Sequence, residues 1–334
     1  MSDPVVSGQS YANSDFSKKL SKFTKENMAI VAILLMSVVF TFTSPYFLSW
    51  ENWKNILLQT STVSIAAMGQ AIVLLTGNFD LSLGRNVAFT SCLGAILMKS
   101  TELSPTEMNP WLVIGIMLAM GTLIGLFNGL LTAYAGLPAF IATLGLQNVC
   151  YGMAKVITNA TPIATFSDEI AFFGRGYLGP VPYCVIIMIA LYVLAQFLST
   201  QTRLGRNIYA VGGSKEAAFF SGINVKKYTC LAFVIAGFLA SLSGVVLMSR
   251  LNSVAITNGQ GYEFDAVIGS IIGGISLTGG KGKIVGTMFG SIFFITLFNG
   301  MAQLHVDPFV QDVLKGVVLL AAIGLDVLRN RKRA

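Results

Sequence analysis

The sequence predicts an all-α integral membrane protein of about ten transmembrane helices, some of them broken, with both termini cytoplasmic. Three observations carry this fold class. Of 334 residues, 54% are hydrophobic and 11% charged, whereas a soluble domain carries roughly 25% charged residues. Apolar runs recur at about 20 residues, the length an α-helix needs to cross the hydrocarbon. The basic residues, finally, gather in alternate connections rather than over one surface.

Residues 1–27 form a polar leader with Lys18, Lys19, Lys22 and Lys25. The first span, 28–47, reads as retained, because Thr41 to Pro45 offers no small-residue cleavage site. Further spans follow at 56–76, 86–98, 111–133, 138–157, 181–199, 227–249, 263–279, 284–304 and 310–328. The transmembrane domain is therefore 28–328, with a polar segment at 200–226 and a basic tail at 329–334. Ten spans put sixteen basic residues inside: Lys18, Lys19, Lys22, Lys25, Arg85, Arg203, Arg206, Lys215, Lys226, Lys227, Lys281, Lys283, Arg329, Arg331, Lys332 and Arg333. The other six, Lys54, Lys99, Lys155, Arg175, Arg250 and Lys315, fall outside or within spans. Such a bias orients the chain with termini and polar segment in the cytoplasm. The net charge of +7 follows from the same bias, and with no aromatic–basic platform it does not point to nucleic acid. Trp50, Trp53 and Trp111 sit near outer boundaries, where an amphipathic indole is stable.

Between Thr202 and Val225 the apolar pattern stops. Ser214 is placed to cap a short helix, Glu216 suits its positive end, and Gly222 suits a left-handed terminus. The helix would expose Ala217, Ala218, Phe219 and Phe220, either to a groove on a partner or to the membrane surface. Two glycine-bounded polar turns, Thr76–Gly84 and Ile275–Gly282, interrupt apolar runs on the inner side and suggest broken helices of an internal repeat. Gly121, Gly125 and Gly129, and again Gly286 and Gly290, have the spacing that lets helix backbones approach closely. Asn128 lies on that glycine face and should point inward.

Chemistry-bearing groups are few. Asp80 is an intramembrane charge with Arg85 near enough in sequence to neutralise it, or else, with Ser82, a helix-starting residue. Asp312 and Lys315, three apart on one helix, are expected to pair. Gly280-Lys281-Gly282 is no phosphate loop, since Ile275 and Gly282 stand where glycine and a hydroxyl are required. Cys92, Cys150, Cys184 and Cys230 lie in separate spans and read as buried thiols, and His305 stands alone. No catalytic, cofactor-binding or metal-binding set is visible.

These residues carry a resemblance. Gly77–Gly84, Gly136–Gly145, Thr202–Gly213, Glu216–Ile223 and Gly273–Gly282, in this order, resemble the permease subunits of bacterial ABC importers of the ribose, galactose and xylose type, across essentially all ten spans. Asn78-Phe79 departs from the Gly-Ile pair more usual in that family. The resemblance implies an inner-membrane subunit driven by a separate cytoplasmic ATPase, which holds ATP and Mg, and supplied by a periplasmic sugar-binding protein. It implies a coupling role for Arg203, Gly205, Arg206, Gly212, Gly213, Glu216, Ala217, Ala218, Phe219 and Gly222. With one such insert per chain, the working unit needs a second permease chain, identical or related, with the path between the two. Depth and polarity nominate Asp80, Asn128, Phe140, Thr143 and Gln147 for that path. Other cargo, namely branched-chain amino acids, nucleosides or a furanosyl signal molecule, stays open, as does an ion-coupled secondary carrier.

Overall fold

The computed structural model describes residues 28–99, 107–164, 166 and 168–331. Its helices are α1 (Met28–Thr43), α2 (Trp50–Leu75), α3 (Leu83–Met98), α4 (Pro110–Ala133), α5 (Ala139–Thr158), α6 (Asp168–Arg175) and α7 (Tyr183–Gln201). They continue as α8 (Arg203–Gly213), α9 (Lys215–Phe220), α10 (Val225–Leu251), α11 (Tyr262–Ile272), α12 (Ile284–Gln303) and α13 (Pro308–Arg331). Two-residue strands β1 (Ile163–Ala164) and β4 (Ser253–Val254) pair antiparallel, as do β2 (Tyr177–Leu178) and β3 (Val181–Pro182). Lys18, Lys19, Lys22, Lys25, Lys332 and Arg333 lie outside the described residues.

Each predicted span overlaps one helix. Seven of these, α2, α4, α5, α7, α10, α12 and α13, are long and apolar enough to cross a membrane. The other three are short: α1 and α3 have 16 residues each and α11 only 11. Local chemistry sets the ends. Ser49 accepts the Asn52 amide at the start of α2, and Glu51 sits in the first turn. Asn109 accepts the Trp111 amide ahead of Pro110 in α4. Asn224 accepts the Lys227 amide in α10, which Asn252 ends in the left-handed region at φ 52°.

The centre is the pair α2 and α10, which touch where Gly69 leaves room for the Ala236 backbone. The glycine face of α4 packs as its spacing predicts. Gly121 meets Ser241, Gly125 meets Phe233 and Gly237, and Gly129 meets Cys230, all on α10. Gly286 and Gly290 of α12 likewise meet Gly273 and Gly269. Polar side chains inside the bundle tie helices by donating to backbone carbonyls. Ser243 Oγ donates to Thr62 O at 2.7 Å, Tyr192 Oη to Ser64 O at 2.8 Å and Ser91 Oγ to Gly244 O at 3.2 Å. Hydrocarbon offers such hydroxyl groups no partner, so they bond within the protein. All four cysteines are buried and free.

The connection between α5 and α7 carries structure of its own. Its helix α6 hangs on the end of α10, with Gly174 N donating to Ser249 Oγ at 2.7 Å and Ser249 Oγ in turn donating to Ile170 O. The α10–α11 connection dips into the bundle until Gly259 lies against Gly84. The N-termini of α3 and α11 therefore meet among the helices, and Arg85 lies with them instead of in an inner loop. It donates to Ile256 O at 3.2 Å and covers the Tyr151 ring, so the inner basic set loses one member.

A Gly125→Val substitution would drive a side chain into the Phe233 carbonyl. Overpacking of this kind costs about 3 kcal/mol, and thermal melting in detergent should show the loss.

Candidate functional site

The polar insert forms two helices where a single short one is expected. In α8, Thr202 Oγ1 accepts the Gly205 amide at 3.3 Å. Gly205, Ile208 and Val211 are buried while Arg203 and Arg206 stay exposed, so α8 is amphipathic. Gly205 allows this, because a Cβ there would collide with Ser199 at the end of α7.

The second helix, α9, is built as its sequence predicts. Ser214 Oγ accepts the Ala217 amide at 3.1 Å, and Glu216 lies in the first turn. At the other end Ile223 N donates to Ala218 O and Gly222 N to Phe219 O, with Gly222 at φ +77°, the double bond pattern of a left-handed helix terminus. Phe219 and Phe220 project, 68% and 86% exposed, with ring centroids 5.8 Å apart and edges meeting. Ala217 and Glu216 are exposed too, but Ala218 is buried. That corrects its expected exposure: Ala218 lies on the face of α9 turned toward the rest of the chain.

Both broken-helix turns reach this insert. Gly280 N donates to Leu75 O at 2.9 Å, joining the end of α2 to the α11–α12 connection. Gly212 sits on both, since a Cβ there would strike the Leu75 carbonyl and the Gly280 amide, whereas Gly213 faces open space. Gly279, at φ +84°, lies against Gly77 and the Gly212 carbonyl. Tyr209 Oη donates to Gly282 O at 2.8 Å, and burial pushes its phenol up, keeping the donor proton in place. Sequence reading missed Tyr209 and Leu75. The one available signal was that both turns and the Gly212-Gly213 pair fall on the inner side.

From Leu75 the chain turns through Gly77, at φ +71°, into the segment carrying Asp80. Asp80 Oδ1 accepts Ser82 N at 2.8 Å and Ser82 Oγ at 2.7 Å. Ser82 precedes the first residue of α3, so Asp80 serves the helix start. Arg85 turns away to Ile256 O and Tyr151 and is not the neutralising partner that its sequence position suggests. Asn128 Nδ2 donates to Ser82 Oγ at 2.8 Å, and Leu81 N donates to Thr143 Oγ1 at 3.1 Å. Asp80, Asn128 and Thr143 thus come together, all buried, behind the face of α5. Phe140 is 57% exposed and Gln147 half-buried on that helix, apart from the network. The exposed Phe140, Ile141, Leu144 and Val149 leave much of α5 without a partner among the described residues.

Lys315 does not pair with Asp312. Its Nζ lies 2.6 Å from Asp265 Oδ1 and so pins α13 to α11. A helical spacing of three permits a pair, but a deeply buried carboxylate on a neighbouring helix has more to gain from the ammonium.

The comparisons with known proteins agree with this architecture. A family described as branched-chain amino acid transport system / permease component matches residues 52–323. The chain belongs to this permease family. It is 37% identical to the ribose import permease protein RbsC of Escherichia coli (strain K12) over 337 residues, 100% of each chain. It is 38% identical to the D-allose transport system permease protein AlsC of the same strain, covering 90% of this chain and 91% of the relative. Its identity to the galactose/methyl galactoside import permease protein MglC of that strain is 33%, over 95% and 98% respectively. The permease is accordingly a multi-pass protein of the bacterial inner membrane, a transport subunit.

Replacing Lys315 by Ala strands the Asp265 carboxylate and should cost about 3–5 kcal/mol. The double substitution Lys315→Met with Asp265→Leu should recover most of it, read by thermal melting of the purified permease.

Proposed function

We propose that this chain is the membrane-spanning permease of an ATP-driven importer and forms half of the translocation path for a monosaccharide. The observation that carries the cargo class is the full-length likeness to three permeases whose names state ribose, allose and galactose. A periplasmic binding protein delivers the sugar. A separate cytoplasmic ATPase, holding ATP and Mg, does the work.

The chain's part follows from its shape. The exposed helix α9, with Glu216, Ala217 and the Phe219–Phe220 pair, fits a groove on the ATPase, and Arg203 and Arg206 flank it on α8. Closure of two ATPase domains on ATP draws two docked inserts together and reorients the helices joined to them. One insert per chain calls for a second permease copy or a close relative. The unpartnered face of α5 offers that copy a surface and the sugar a wall, with Phe140 and Gln147 on it. Asp80, Asn128 and Thr143 hold the α3 start behind this wall. A weakly binding path is sufficient, since selection lies with the binding protein.

Reconstitution with the ATPase and binding protein in proteoliposomes tests the reading: sugar uptake should require ATP. Uptake driven by an ion gradient without any ATPase would sink it. Glu216→Lys should abolish ATP-driven uptake while the permease still folds and inserts, because Ser214 and Gly222, not Glu216, hold α9 together. Normal transport and copurification of that variant would remove Glu216 from the coupling surface.

A further inference from the structure

The insert could move the permease simply by its two ends, through α7 before it and α10 after it. Its contacts beneath α8 describe a third and stiffer attachment. Gly212 rests directly on the Leu75 carbonyl and the Gly280 amide, with no room for even a methyl group between them. Gly280 N bonds Leu75 O, and Gly279 fills the gap between Gly77 and Gly212. Tyr209 Oη fastens the same face of α8 to Gly282 O. Backbone packed on backbone has no rotamer through which a displacement can dissipate, so a shift of α8 is a shift of the end of α2.

Beyond Leu75 the path continues without a long side chain. Thr76 Oγ1 donates to Val73 O at 2.7 Å, and Asn78 Nδ2 donates to Thr76 Oγ1 at 2.9 Å. Asp80 then grips Ser82, Ser82 accepts from Asn128 on α4, and Leu81 N donates to Thr143 on α5. On the other side the α11–α12 connection is closed on itself by Ser276 N donating to Lys281 O at 3.1 Å. It is held to α13 by Leu277 N donating to Asp326 Oδ2 at 3.0 Å. The broken helix therefore links the insert to the helices behind the exposed α5 face through contiguous contacts, the physical form that coupling between distant sites requires.

We infer that the stroke of the motor enters the bundle through the joined α2–α3 and α11–α12 breaks, gripped by Gly212 and Tyr209 of α8 and by Gly280, which act as positioning residues for transport. This rests on the importer reading above. The joined breaks are the transmission, and Gly212, Gly279 and Gly280 give α8 its backbone contact with them.

The test uses the complete transporter in proteoliposomes, reading sugar imported per ATP hydrolysed together with complex yield and melting temperature. Tyr209→Phe keeps the ring and removes one hydrogen bond. It should lower sugar per ATP by up to about fivefold, the weight of one such bond, at unchanged yield. Gly212→Ala inserts a methyl group into the contact and should lower the ratio further; if that variant does not assemble, Tyr209→Phe decides alone. An unchanged ratio overturns the inference, including the case where yield or melting falls, which would make the contact merely structural. In either event the importer reading stands as long as the unsubstituted complex imports sugar with ATP. If the unsubstituted complex does not, it is the importer reading that falls.

Discussion

A helix that breaks inside a membrane frees backbone groups that lipid cannot satisfy, and much of this fold answers that constraint. The two inner breaks answer each other, as Gly280 N meets Leu75 O. The start of α3 is served by Asp80, and the connection before α11 descends until Gly259 reaches Gly84. Each solution needs backbones closer than side chains allow, which is why glycine appears at each place. The same need for close approach gives α4 and α10 their contact, although there it serves packing instead of hydrogen bonding.

Placing the breaks beside the polar insert joins two problems in one region. A surface helix such as α9 gains little from its own short length and depends on its caps, Ser214 at one end and Gly222 at the other. The preceding helix α8 supplies the anchorage by burying Ile208 and Val211 against the bundle. The result is an exposed knob of two phenylalanines on a base that cannot easily yield.

Legibility differed by kind of feature. The caps of α9 were plain because Ser214 and Gly222 act through backbone neighbours about three residues away. The glycine faces were plain because helical periodicity brings Gly121, Gly125 and Gly129 to one side whatever they meet. Arg85 and Lys315 misled for a common reason. Each has an acidic residue at a suitable spacing in the chain, and each turns instead to a group from a distant segment, Ile256 O and Asp265. Ala218 misled more narrowly, since a six-residue helix shows too little periodicity to tell its faces apart. The helix α6 escaped notice because a short element at an outer surface leaves no long apolar run.

The sequence by itself determined that the chain crosses the membrane many times, where its helices break, and which family pattern it follows. These properties reside in composition, in charge along the chain and in local backbone preference, all additive over short stretches. Only the tertiary structure decided that the two breaks close on each other and on Gly212, that Asn128 and Thr143 reach the segment ahead of α3, and that Lys315 joins α13 to α11. Those are pairings between segments up to some two hundred residues apart. Contacts of that kind depend on which surfaces face one another after packing, and no local spacing encodes that choice.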